Sequence, residues 1–303
     1  MIDITVIGGI AVDIEGLPYS TLRKGESNPG RISISYGGVG RNITENLARI
    51  GAKVAFVSAV GNDFVGKNAV RELKSLGVNV DNVHMLESEN TAIYLSILNH
   101  VGDMEMALCN MDVLEKIAVD IVEEAMPVIK SAKILGIDAN LTHDVQQYIL
   151  DMVQGIPVFL DPVSAPKAER SKKHIGRFHT IKPNRGEAEV LCGFSIEDEQ
   201  GLSEAGKWFV DQGVRRVYIT LGEDGVYYKD DVEEGVIAPG NVRVVSATGA
   251  GDAFSAAIMK GFISNKSIKE TACYGMAASK VTMGCKTAVN PDICESVIAL
   301  NLK

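Results

Sequence analysis

The stretch Val54–Leu76 reads VAFVSAVGNDFVGKNAVRELKSL. Its first part, Val54–Ala59, is an apolar, β-branched run too short for a helix; a turn at Gly61-Asn62-Asp63 follows, and Ala69–Leu76 carries a helical pattern. The same unit recurs along the chain. Strand-like runs at Ile4–Ile7, Ile134–Ile137, Val158–Leu160 and Val217–Thr220 alternate with helical patterns at Ile43–Ile50, Val145–Met152 and Leu202–Phe209. Alternation of this kind predicts right-handed βαβ crossovers, hence an α/β fold with a doubly wound, mostly parallel sheet flanked by helices. Ligands of such sheets bind outside the carboxyl ends of the strands. The final third reads as mainly helical, with Ala253–Ile263, Ile268–Met283 and Pro291–Leu300.

Two stretches break this rhythm. Arg31–Tyr36 (RISISY) and part of Thr91–Leu98 (TAIYLSIL) alternate polar with apolar residues, and a turn at Gly102-Asp103 followed by MEMAL extends the second. Period-two alternation marks half-exposed antiparallel strands, which do not belong in a buried parallel sheet. They predict a small β-sheet, over roughly residues 10–36 and 91–108, inserted as a lid in a single domain spanning 1–303. An edge extension of the main sheet is the alternative.

Composition narrows the function classes. The chain has 303 residues, 46% of them apolar and 23% charged, the balance of a globular protein with a full core. A formal charge of −9 argues against a nucleic-acid partner, whose phosphates call for clustered Lys and Arg. The five cysteines (Cys109, Cys192, Cys273, Cys285, Cys294) never stand in a CxxC spacing. They read as reduced thiols of a cytoplasmic protein rather than a disulfide or zinc framework. The N-terminal apolar run carries acids and no basic segment, unlike a signal peptide, and no run is long enough to span a membrane.

Two phosphate-binding templates fit poorly. Gly61–Asn68 nearly spells a Walker A loop, but Asn68 lacks the hydroxyl that binds Mg²⁺, so a turn capped by Asp63 is the better reading. Gly249-Ala250-Gly251-Asp252-Ala253-Phe254 lacks the third glycine of a dinucleotide fingerprint.

The strongest signal is Thr248-Gly249-Ala250-Gly251-Asp252-Ala253-Phe254. Small residues let backbone approach a ligand, and unpaired N–H groups opening a helix make an anion site. Asp252 then lies in the first turn, either as a dipole-complementing residue or as the base that takes a proton from an attacking hydroxyl. At Lys182-Pro183-Asn184-Arg185-Gly186-Glu187, Asn184 and Glu187 stand three apart. They form a helix cap, or they organise Mg²⁺-bound water near phosphate oxygens. Thr220-Leu-Gly222-Glu-Asp-Gly225 follows a strand, where a nucleotide is expected. Gly37-Gly38-Val39-Gly40-Arg41-Asn42 leads into a helix, with Asn42 able to aim an amide at a ligand and Asp13 facing the same region.

Together these motifs resemble the PfkB/ribokinase family over nearly the whole chain, in the family's order. Gly37-Gly38, Asn42, Gly51 and Gly61 match its first signature; Ser246–Asp252 (SATGAGD) matches its second. Asn184 to Glu187 matches its Asn-x-x-Glu motif, and Thr220, Gly222 and Gly225 its nucleotide element. The resemblance implies an ATP- and Mg²⁺-dependent kinase that phosphorylates a hydroxymethyl group of a small sugar or nucleoside. It implies Asp252 as the base, the amides of Gly249, Ala250 and Gly251 as the anion hole, and Asn184 and Glu187 organising Mg²⁺ and phosphates, Glu187 through water. Thr220, Gly222 and Gly225 would line the ATP site, and Asp13, Gly38 and Asn42, with Asp138, would contact the acceptor. Lids of the family often pair between subunits, and the alternating apolar residues of the lid strands would suit a homodimer, though the sequence leaves the oligomeric state open. Many members bind a monovalent cation through an Asp-Thr start of the second signature. Ser246 and Ala247 stand there, so K⁺ activation does not carry over with the motif. The run Gly38–Arg49, with Asn28-Pro29-Gly30 and Asp138–Leu141, is most similar to the branch acting on pseudouridine. A ribokinase-like or other nucleoside or sugar kinase, and a non-catalytic sugar-binding protein on the same fold, are the alternatives.

Overall fold

The computed structural model describes residues 2–240 and 244–302. Its strands are β1 (Ile4–Ile7), β2 (Ala11–Pro18), β3 (Gly30–Gly37), β4 (Val54–Gly61), β5 (Asn79–Leu86), β6 (Ala92–Leu98) and β7 (Met104–Asn110). They continue with β8 (Ile134–Asp138), β9 (Val158–Asp161), β10 (Thr180–Ile181), β11 (Arg216–Thr220), β12 (Val226–Lys229) and β13 (Glu234–Ile237). Nine of them form one sheet in the order β13-β12-β11-β10-β9-β8-β1-β4-β5. From β11 to β5 neighbouring strands are parallel. The β11–β12 and β12–β13 pairings are antiparallel. The short turn Gly222–Asp224 between β11 and β12 leaves no room for a crossover, so that edge folds back as a hairpin.

Alternation along the parallel strands sorts the core into two layers. Ile7, Val57, Leu135 and Leu160 pack in one apolar cluster. Their chain neighbours Val6, Phe56, Ile134 and Phe159 pack in the other. Period-two side-chain geometry thus buries both faces under helices, which is why these strands read as continuous apolar runs.

Two helices carry most of the candidate chemistry. The helix Val39–Arg49 starts at Gly38, whose φ of 92° and close approach to the Gly9 carbonyl exclude any side chain. The helix Ala250–Ile263 packs against it and against Ile268–Met283. A Cβ at Gly275 would meet the Phe254 ring at 2.7 Å, so this packing depends on small residues at the crossing.

The second sheet is separate, with four strands in the order β3-β2-β6-β7. β2 pairs antiparallel with β3 and parallel with β6, and β6 pairs antiparallel with β7. It is the small sheet expected from the alternating stretches. The expected half-burial is not found in β3, however: Gly30–Ser35 is exposed along its whole length. The apolar side chains of β3 have nothing over them in this chain. Two further expectations need correction. The final third includes the hairpin β12–β13 besides its helices, and the last helix spans Glu295–Leu300 rather than beginning at Pro291. Among the described residues no helix is long and apolar enough to cross a membrane.

Candidate active site

The carboxyl ends of β1, β8, β9, β10 and β11 converge on the N-terminal ends of the helices Val39–Arg49 and Ala250–Ile263. Asp252 stands in the first turn of the latter. Its Oδ2 accepts a hydrogen bond from Asn42 Nδ2 at 2.8 Å, joining residues from opposite ends of the chain. Asp252 keeps part of its surface open to the cleft. Burial pushes its carboxyl up, the Asp161 carboxylate adds to the rise, and Asn42 and Lys182 pull against it, leaving it at about 7. A carboxylate poised there changes protonation near neutral pH, as a general base requires.

The helix opens at Gly249, φ 79°, where a Cβ would run into the Ala288 carbonyl. Among the described residues the amides of Gly249 and Gly251 have no bonded acceptor, while the Ala250 amide turns back to the Ala247 carbonyl at 3.3 Å. These groups make a place for an anion beside Asp252. Ser246 spends its hydroxyl on the Thr248 amide at 3.2 Å.

Behind Asp252 lies a buried ionic group that the sequence motifs do not announce. Lys182 and Asp161 pair at 3.0 Å with side chains only 8% and 3% exposed. Asp161 Oδ2 also accepts from Ser255 Oγ at 2.7 Å, and its Oδ1 accepts from the Val163 amide at 3.0 Å. Val163 holds that turn at φ 68°, a strained value for a β-branched residue. Burial alone would push the Lys182 ammonium down, but Asp161, then Glu187 and Asp252, outweigh it and hold the charge in place. A Cβ placed on Gly251 would lie 3.3 Å from Lys182 Nζ, so the ammonium sits against the glycines that open the helix. The available signals were the position of Asp161 at the carboxyl end of a strand and the place of Lys182 just ahead of Asn184.

Asn184 and Glu187 do form a reciprocal capping box: the Glu187 amide donates to Asn184 Oδ1 at 2.9 Å and the Asn184 amide donates to Glu187 Oε2 at 2.8 Å. Glu187 is buried while Asn184 is exposed. Burial raises the Glu187 carboxyl although Lys182 opposes it. Asn184 bridges in parallel to Thr220, which brings these two candidate nucleotide residues side by side. Gly225, at φ 98°, packs so closely on the Ile237 carbonyl that no side chain fits. Beyond Ile237 opens a cavity of about 190 Å³ lined by Ala238, Met276, Ala277 and Lys280 among others.

On the acceptor side, Asp13 lies directly over Gly37, and burial raises its carboxyl against the pull of Arg41. Gly38 and Asn42 follow at the root of the small sheet. Asp138 is fully buried with its carboxylate engaged: Oδ2 accepts from the amides of Gly9 and Gly40, each at 2.9 Å, and Oδ1 from the Asn140 amide at 2.9 Å. It pins the glycine turns that shape the pocket. Beside it, Lys167 donates to Asn140 Oδ1, and burial depresses its ammonium. The near-Walker stretch is a structural turn, with Asp63 accepting from the Gly66 amide at 2.7 Å and the Thr91 amide at 2.8 Å.

Strand ends, a carboxyl raised to about 7 and unpaired helix amides thus meet at one place in the fold. The model of the pfkB family of carbohydrate kinases matches residues 1–293, and the chain belongs to that family. It is similar to the pseudouridine kinase of Escherichia coli (strain K12), at 35% identity over 96% of this chain and 93% of that protein. Among solved structures, a carbohydrate kinase from Agrobacterium tumefaciens superposes with a TM-score of 0.88 at 25% identity, covering 100% of this chain and 97% of that one. Arabidopsis thaliana ribokinase, complexed with ribose and ATP, shares the fold with a TM-score of 0.86 at 23% identity, covering 100% and 99%. The chain is thus a sugar or nucleoside kinase with a ribokinase-like fold.

Proposed function

We propose that this kinase transfers the γ-phosphoryl group of ATP to the 5′-hydroxyl of pseudouridine, within a single ribokinase-like domain that carries the small sheet as its lid. The observation that carries the chemistry is the contact of Asn42 with Asp252 at 2.8 Å, which fixes beside open helix amides a carboxylate that burial raises to about 7. Asp252 takes the proton of the attacking hydroxyl. The new O–P bond forms as the bond from the γ-phosphorus to the bridging oxygen breaks, and ADP leaves with that oxygen. The amides of Gly249 and Gly251 and the Lys182 ammonium face the charge that spreads over the transferring group, whereas the Ala250 amide, expected as a third donor, is turned to the Ala247 carbonyl.

Asn184, Thr220, Gly222 and Gly225 line the path of the triphosphate, and the cavity beyond Ile237 accommodates the base of the nucleotide. Among the described residues no cluster of His, Cys, Asp and Glu is built to hold a metal by itself. Glu187 would touch Mg²⁺ carried in on the phosphates only through water. When bound, the ion neutralises phosphate charge. Asp13, Gly38 and Asn42 fix the ribose hydroxyls, with Asp138 setting the pocket's backbone.

The acceptor reading is supported by the 35% identity to a pseudouridine kinase and by the run Gly38–Arg49. Pseudouridine offers a ring N–H that uridine lacks, and a site built around such a group rejects the analogue by roughly 10⁴-fold. The test is kcat/KM over pseudouridine, uridine, inosine, ribose and fructose 6-phosphate at saturating Mg-ATP. A clear lead for pseudouridine is expected. If uridine or ribose equals it, the acceptor assignment fails while the kinase chemistry stands.

A further inference from the structure

Arg41 is 3% exposed, an unusual place for a guanidinium, and nothing in the phosphoryl-transfer chemistry requires it to be there. Its Nη1 donates to Asn42 Oδ1 and to the Tyr36 carbonyl, each at 3.1 Å. Its Nη2 pairs with Glu45 at 2.5 Å and with Glu72 at 3.0 Å. Glu45 is held from behind by Arg49 at 2.7 Å, and Arg49 is anchored to the Pro291 carbonyl at 2.7 Å. The guanidinium is therefore fixed on several sides, and one of its contacts is the residue that touches Asp252.

We propose that Arg41 is a positioning residue that orients the Asn42 amide toward Asp252 and ties this orientation to the root of lid strand β3. A guanidinium only donates, so the atom of Asn42 that faces it must be the amide oxygen. The NH₂ group is then the end that meets Asp252 Oδ2 at 2.8 Å. A flipped amide would set N–H against N–H at Arg41 and oxygen against carboxylate at Asp252, two repulsive contacts instead of two attractive ones. Tyr36 lies at the end of β3, so the hydrogen bond to its carbonyl joins the lid's attachment to the same guanidinium. Asp13, the other carboxylate on the acceptor side, also feels the Arg41 charge. Lysine cannot substitute, because a single rotatable ammonium does not reach two carbonyl-type oxygens and two carboxylates in one plane.

This inference rests on Asp252 being the base, and its test has a separate signature. Besides Asn42, the charged groups facing Asp252 are Asp161, Lys182 and Asp138, all of which Arg41→Lys leaves in place. The Asn42 hydrogen bond draws the Asp252 carboxyl down, so losing its orientation should move the acid limb of the kcat–pH profile upward. Arg41→Lys is expected to lower kcat by roughly ten- to a hundred-fold, the scale of a small misplacement of a catalytic group. KM for ATP should stay within about two-fold, since the ATP-site residues are remote from Arg41. Glu72→Ala removes only the partly exposed anchor and should shift the limb the same way, with a loss of about three-fold. If Arg41→Lys is too unstable to assay, Glu72→Ala decides by its limb. An unmoved limb in a folded variant, whether kcat is kept or falls in step with melting temperature, overturns the proposal and leaves Arg41 as packing alone. An active Asp252→Asn enzyme would instead remove the base on which it is built.

Discussion

Around the carboxyl ends of β8, β9 and β10, charged side chains lie inside the protein and are tied down. Asp138 grips three backbone amides, Asp161 holds Lys182 and Ser255, and Asn42 is bonded on both ends of its amide. In the small sheet the reverse holds: Ile32, Ile34 and Leu108 stand 72%, 65% and 69% exposed. A cavity of about 290 Å³, lined by Ile14, Leu17, Leu22 and Ile97 among others, opens within that sheet, away from Asp252. Desolvated, hydrogen-bonded charges cost free energy to bury and hold a fixed geometry, so they suit the part that must be organised before substrate arrives. Uncovered apolar strands gain their buried surface only when something closes on them, so they suit the part that moves or pairs. The Arg41 guanidinium, between the Tyr36 carbonyl and Asn42, links the two regions.

The largest effect is expected at the fixed end. Asp252→Asn should cut kcat by about 10²–10⁴-fold with ATP and acceptor binding nearly unchanged, because the amide keeps the shape and cannot accept a proton. Its effect on stability should have the opposite sign. The Asp252 carboxyl is raised from 3.8 to about 7 in the folded protein. Between those values the unfolded chain ionises first, so wild-type stability falls as pH rises through this window and the deficit is complete above about 7. Thermal melts of Asp252→Asn should therefore exceed wild type at pH 8 and converge with it near pH 4.

Lys182→Met comes next. It leaves Asp161 buried without its cation and should destabilise by about 3–5 kcal/mol in urea titrations. Adding Asp161→Leu should recover much of that stability without restoring turnover. Recovery of turnover would show that the pair only supports the fold.

Glu187→Gln separates cap from chemistry, since glutamine can still complete the box with Asn184. Stability should barely change, while the Mg²⁺ concentration for half-maximal rate rises and kcat falls. An unchanged Mg²⁺ dependence would confine Glu187 to capping.

The smallest energetic effect belongs to the small sheet. Ile34→Ser and Leu108→Ser should change monomer stability by no more than about 0.5 kcal/mol, because both side chains are already in water. If the lid pairs between subunits, the same changes should weaken a dimer in sedimentation. Hydrogen exchange in Arg31–Tyr36 and Thr91–Leu98 should slow with acceptor more than with ATP, because these strands flank Asp13 and the Gly37–Asn42 turn. Equal protection by ATP alone would detach the lid from the acceptor.

Much of this was legible in the chain. Val54–Ala59 and Ile4–Ile7 announced the parallel sheet because strands buried on both faces read as unbroken apolar runs. Thr248–Phe254 announced a tight turn opening a helix, because at Gly249 the positive φ and the close Ala288 carbonyl leave no room for a side chain. Asp161 was hidden for a different reason: its partners Ser255 and Lys182 lie far away in sequence, and ionic contacts made by folding leave no local pattern. β10 has only two residues, too few for periodicity to register, and β12–β13 is a hairpin of short strands. Asn184 and Glu187 stay ambiguous in sequence because a capping box and a phosphate-side carboxylate call for the same spacing. Asp138 was read as an acceptor contact from its place in the motif, whereas the structure occupies its carboxylate with backbone amides.

The central claim, that a partly buried carboxylate held by Asn42 serves as the base, is tested most directly by the pH dependence of kcat/KM for the acceptor, with Mg-ATP saturating and Mg²⁺ in excess. The account predicts a rate that rises about tenfold per pH unit below a limb near pH 7 and levels off above it. A profile flat from pH 5 to 8 would contradict it, because the group that accepts the proton would then have an ordinary carboxylate's affinity or would not be Asp252.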